Sequence, residues 1–143
     1  MKNFKQFINE NLQNDHILNQ IKKSLIMENL VDEDEFNELY GDLNIAWKNF
    51  VDNQENGDCQ SIVSNIIFDY PNVTKVFGEI EIDEPYMDEY DDEQTLMTHH
   101  WVMINNTIYD FSKGTLKNYI NWDDVYDVTV ENDEWRYQPI NSK

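Results

Sequence analysis

Thr98-His99-His100-Trp101-Val102-Met103-Ile104-Asn105-Asn106-Thr107-Ile108-Tyr109-Asp110-Phe111-Ser112 is the stretch from which the fold can be read. Two runs of β-forming residues, Thr98 to Ile104 and Thr107 to Ser112, flank a pair of asparagines. Asparagine tolerates positive φ, so the pair predicts a two-residue hairpin turn. Ile104 then pairs with Thr107, Trp101 faces Asp110, and His99 faces Ser112. Side chains alternate across a strand. His99, Trp101, Asp110 and Ser112 therefore share one face, and His100, Val102, Tyr109 and Phe111 share the other. His99 and Asp110 become diagonal neighbours, near enough for a side chain to bridge. A carboxylate on an imidazole fixes its tautomer and stabilises the imidazolium. His100 has the wrong parity for this and is expected to pack or to meet solvent.

Before this hairpin the chain reads as helices. Phe4, Phe7, Ile8 and Leu12 recur at helical spacing, as do Ile17, Leu18, Ile21 and Leu25. Asp32 and Glu35 form a capping-box pattern. It leads into one amphipathic helix through Phe36, Leu39, Tyr40, Leu43, Trp47, Phe50 and Val51, with Gly41 inside it. Asn53 to Gly57 is a polar break. Asp58 is a candidate cap for a further helix from about Cys59 to Tyr70, which Pro71 ends. Its buried stripe would be Ile62, Val63, Ile66, Ile67 and Tyr70. Thr74 to Ile82 reads as a strand, and Asp83 to Gln94, with seven carboxylates, as a solvated loop. Leu116 to Ile120 reads as a short helix. Tyr126 to Val130 and Trp135 to Gln138 read as two short strands around Glu131-Asn132-Asp133. Helices followed by an antiparallel sheet make an α+β arrangement. The expected organisation is an N-terminal helical segment over 1–30 and a single α+β domain over 31–143.

The 143 residues carry 29 acidic against 10 basic side chains, a net charge of −19. Such a surface repels nucleic acid and anionic membranes and favours basic partners, cations or plain solubility. With 40% hydrophobic and 13% aromatic residues, the chain is still apolar enough to fold. The lone cysteine rules out an internal disulfide. No apolar run approaches the ~18 residues of a membrane span, and the first ten residues lack the core of a secretory signal. The expected location is the cytoplasm. Histidines 99 and 100 alternate across a strand and cannot chelate one ion together, and no cluster has zinc spacing. The acids from Asp88 to Glu93 lack the glycine and spacing of a calcium loop. No cofactor or metal is expected.

Cys59 falls in the first turn of its predicted helix, where unsatisfied N–H groups and the helix dipole favour a thiolate. It also begins the apolar stripe, so a passive core thiol is the alternative. Gly57-Asp58-Cys59-Gln60 opening a helix, His99-His100-Trp101-Val102 on a strand and Ile108-Tyr109-Asp110-Phe111-Ser112 on the next together resemble the papain-like and transglutaminase-like superfamily. The resemblance covers about residues 57–112. It implies a thiol acyl-transfer enzyme (peptidase, amidase, deamidase or transglutaminase) acting on a peptide or protein substrate. It assigns Cys59 as nucleophile, His99 as base and Asp110 as orienter. Gln54 and Gln60 are the oxyanion candidates. Phe111 stands where the family usually has proline.

Met1 to Glu10, ending Ile8-Asn9-Glu10, resembles the cleavable capsid-targeting leaders of internal proteins in large tailed bacteriophages. That likeness implies packaging in a virion and delivery into a host cell. The alternative for the same residues is an ordinary amphipathic first helix. Two further functions compete with the enzyme. One is a catalytically inactive acidic protein that binds and inhibits a basic or nucleic-acid-binding host protein. The other is a structural virion component.

Overall fold

The computed structural model describes residues 4–29, 32–39, 41–54 and 58–140, and within them all side chains except those of 4–12, 33 and 39. The first three residues of the expected leader, the side chains of the rest, Tyr40 and Gly57 lie outside the described set. The chain separates into two compact units, Met1–Asp52 and Asn53–Lys143. The division falls inside the stretch read as one domain.

The first unit is helical. α1 runs unbroken over Phe4–Glu28, a sequence without glycine or proline, and buries Leu18, Ile21 and Leu25 on one stripe. α2 (Glu33–Leu39) starts where expected: the Asp32 carboxylate accepts the Glu35 N–H at 2.7 Å. The single amphipathic helix expected beyond it is instead two. α3 (Leu43–Asn53) has its own start, because Asp42 Oδ1 takes the Asn44 N–H at 2.8 Å and the Asp42 carbonyl takes the Ala46 N–H at 3.1 Å. A capping aspartate beside a glycine outweighs hydrophobic periodicity that would otherwise run on. Trp47 is buried, with Phe50 stacked on it at 5.1 Å and the Lys22 ammonium 5.4 Å from its ring centre.

The second unit is α+β. α4 (Cys59–Asp69) buries Ile62, Val63 and Ile66. Asp58 opens it through its carbonyl, which accepts the Ile62 N–H at 3.0 Å, and not through the side-chain cap expected of it. α4 packs on a four-stranded antiparallel sheet of order β3-β2-β1-β4. The strands are β1 (Thr74–Met87), β2 (Glu93–Ile104), β3 (Thr107–Tyr109) and β4 (Tyr137–Pro139). Ile80, Ile82, Trp101, Leu116, Ile120, Val130 and Tyr137 form a buried cluster. Among the described residues no helix is long and apolar enough to cross a membrane.

The acidic stretch is mostly strand. Asp83 to Met87 belong to β1, Glu93 and Gln94 to β2, and only Asp88 to Asp92 turn. Asp88 builds that turn: Oδ1 accepts the N–H groups of Tyr90 and Asp92, and Oδ2 accepts the Gln94 amide at 2.8 Å. Between the pairs Glu81↔Leu96 and Tyr86↔Gln94 β1 bulges, and there the Tyr119 carbonyl accepts the N–H groups of Asp83 and Glu84. Three later expectations also change. The helical turn begins earlier, as a 3-10 turn over Lys113–Leu116. Tyr126 to Val130 is not a strand: it makes one bridge, Tyr109↔Thr129, although Val128 and Val130 are buried. Glu134–Arg136 is a 3-10 turn, so the last strand starts at Tyr137. Lys113 ties this region together, its ammonium donating to the carbonyls of Asp127 (2.6 Å) and Thr129 (3.2 Å).

Candidate active site

Asn105 and Asn106 both have positive φ, 50° and 68°, as a type I′ turn requires. The hairpin register is Ile104↔Thr107, Met103↔Ile108 and Val102↔Tyr109. The ladder stops there, short of the expected pairing of Trp101 with Asp110 and of His99 with Ser112. The Asp110 N–H goes instead to the Val128 carbonyl at 2.8 Å. Asp110 thereby leaves the strand and turns its carboxylate toward β2.

His99 and Asp110, 1% and 0% exposed, meet directly, with His99 Nε2 2.7 Å from Asp110 Oδ2. With Nε2 taken by the carboxylate, Nδ1 is the ring nitrogen left for a second partner. That partner is the thiol of Cys59, which hydrogen-bonds the imidazole and also receives the backbone N–H of His100. β3 does not extend alongside residues 93–101 of β2, so it makes no claim on that N–H. Trp101 stacks beside the His99 ring at 6.2 Å.

The electrostatics follow from these contacts. Burial pushes the Cys59 thiol up, but the hydrogen bond and charge of His99, with the His100 N–H, outweigh it and leave the thiol below its ordinary value. Burial also disfavours a charged His99. The Asp110 carboxylate, in contact with it, overrides that cost and raises the imidazole to about 10. Asp110 is held below the usual carboxylate range against its own burial by His99 and by the hydrogen bonds of Tyr137 and Ser112. The combined effect favours a thiolate–imidazolium pair on a buried carboxylate.

His100 sits on the other face, as its parity requires, with its ring 4.7 Å from that of Phe77. Gln60 is exposed on α4. Gln54 differs: both polar atoms of its amide are shut off from solvent, and neither has a hydrogen-bond partner among the described residues. Phe111, at the unusual position, is buried.

Two contributors were not foreseen. Ser112 donates its backbone N–H to Asp110 Oδ1 at 2.8 Å, and Tyr137 donates its hydroxyl to Asp110 Oδ2 at 2.7 Å. Tyr137 reaches the site because β4 pairs with β1 through Gly78↔Pro139, Glu79↔Gln138 and Ile80↔Tyr137. Gly78 permits that approach. A Cβ there would lie 2.3 Å from the Gln138 carbonyl oxygen and 2.8 Å from both Pro139 Cα and Trp101 Cη2. Among the described residues no group of three or more His, Cys, Asp or Glu side chains is gathered to hold a metal ion. No protein-family model, curated protein or solved structure matches the chain.

Proposed function

We propose that the chain is a thiol-dependent acyl-transfer enzyme with a papain-like or transglutaminase-like core, acting on a peptide or protein substrate. Cys59 is the nucleophile, His99 the acid and base, and Asp110 the orienter. The observation that carries this reading is the buried His99 ring, hydrogen-bonded to a fully buried carboxylate on one side and to the only cysteine on the other. A core thiol needs no such partners.

In the reaction, Cys59 Sγ adds to the substrate carbonyl carbon and the carbonyl π pair moves to oxygen. The oxyanion collapses and breaks the bond to the leaving amine, which takes the proton from the imidazolium. Water then adds to the thioester and gives a proton back to His99, and the C–S bond breaks to release acid and thiolate. An amine in place of water gives transfer instead of hydrolysis. The N–H groups at the head of α4 and the unpartnered Gln54 amide are the donors suited to the oxyanion. Gln60, being exposed, suits that role less.

A second reading rests on the charge of −19: a non-catalytic acidic protein, phage-encoded and delivered from a virion, that occupies the basic groove of a host protein. Iodoacetamide separates the two. The relay predicts rapid labelling of the folded protein at neutral pH. It also predicts loss of that reactivity in His99→Ala and its retention in His100→Ala, whose backbone N–H is unchanged. Labelling only after denaturation, or equal rates in both variants and wild type, refutes the enzyme.

A further inference from the structure

Tyr137 is the one residue of β4 with a buried side chain, and its hydroxyl ends on an oxygen that His99 already uses. Asp110 Oδ1 has its own donor in the Ser112 N–H. Oδ2 receives two, the imidazole and the phenol, each at 2.7 Å. The Tyr137 ring is fixed independently, edge-on to Trp101 at 5.0 Å. We infer that Tyr137 is a positioning residue of the relay: its hydroxyl shares Asp110 Oδ2 with His99, fixes the carboxylate's orientation and tempers its pull on the imidazole proton. The inference rests on the thiol-relay reading.

An oxygen that accepts a second hydrogen bond offers less charge to the first donor. Without the phenol, Oδ2 is a stronger acceptor for the Nε2–H and raises the basicity of the whole ring. The Nδ1 proton, on the Cys59 side, is then less acidic and passes less readily to a leaving amine. After that transfer His99 is neutral and Asp110 remains a buried anion, and the phenol O–H and Ser112 N–H continue to stabilise it. Tyr137 can donate throughout, because burial and the Asp110 charge keep its own proton in place. Of the other titratable groups around the relay, Cys59 on α4 faces it, and His100, on the opposite face of β2, feels the His99 charge. Lys75 of β1 acts on His100, and Asp133 and Arg136 act on Tyr137.

The test is the titration of His99 followed by imidazole 15N NMR, with Cys59→Ala as the background so that only the His–Asp–Tyr part is read. Tyr137→Phe keeps the ring against Trp101 and the backbone pairing with β1. Its His99 midpoint should rise, with proton affinity on the order of threefold higher. A midpoint that is unchanged or lower overturns the inference, since a merely structural tyrosine loosens the pair and lowers it. Should Tyr137→Phe fail to fold, 3-fluorotyrosine installed at position 137 keeps the shape and donates more strongly. The midpoint should then fall, and no change overturns the inference. Iodoacetamide labelling with Cys59 present is read separately. Slow labelling of wild type at pH 6 defeats the relay itself, whereas fast labelling with an immobile midpoint defeats only the role of Tyr137.

Discussion

Asp110→Asn keeps the shape of the side chain and removes its charge, and the hydrogen-bond pattern around it dictates the cost. The carboxylate accepts from Ser112 N–H on Oδ1 and from both His99 and Tyr137 on Oδ2. An amide has one acceptor and one donor end. With its oxygen toward His99 and Tyr137, its NH2 confronts the Ser112 N–H. In the other orientation the NH2 confronts two donors. Either way a buried donor is stranded, and the imidazole loses the charge that kept it protonated. Breaking a buried ion pair from one side costs about 3–5 kcal/mol, so urea unfolding at pH 6 should show a loss of that size. The sign with pH follows from the shifts. His99 is raised from 6.5 to about 10, so the stability it contributes is complete below the unfolded value and is lost as pH rises through the folded one. Asp110 is depressed below 3.8, so its contribution is present above that value and is lost as pH falls through the folded one. The gap between wild type and variant should therefore be widest between about pH 4 and 6.5 and should narrow toward pH 10. Cys59 labelling at pH 6 should fall with it. A gap under about 1 kcal/mol, or one flat from pH 5 to 9, would refute the coupling of the pair.

Two further substitutions test the supports of the site. Gly78→Ala sets a methyl 2.3 Å from a backbone oxygen that cannot rotate away, so β4 must shift. It should destabilise by about 1–3 kcal/mol in urea unfolding. Lys113→Met leaves the Asp127 and Thr129 carbonyls without the ammonium. It should cost about 1–3 kcal/mol by the same measurement and loosen the segment whose Val128 carbonyl anchors Asp110.

The His99–Asp110 contact could be read from the chain because strand parity is strict: a one-residue slip would have exchanged His99 for His100. The Asn105-Asn106 pair fixed that register locally. Asp110 also illustrates where local reading stops. Its pairing with Trp101 fails because Val128, from a segment wrongly expected to be a strand, takes its N–H. Tyr137 carried no local signal at all. It lies 27 residues beyond Asp110, and only the pairing of β4 with β1, which depends on what Gly78 lacks, brings it in. The acidic stretch reads as a loop only if charge is equated with solvation. Carboxylates on exposed strand positions cost little, and Asp88 used its own to close the turn.

The single cysteine, whose partners His99 and His100 lie far along the chain on β2, would also give the molecule a built-in gauge of its own integrity. In most proteins unfolding uncovers a hidden thiol and speeds its modification. The relay predicts the reverse order: an unfolded Cys59 is an ordinary thiol, only about 0.3% ionised at pH 6, while the folded one has His99 and the His100 N–H to favour its thiolate. Any event that parts α4 from β2, whether heat, denaturant or a bound partner, would register as a fall in labelling rate, with no added dye and no second cysteine to confuse the count.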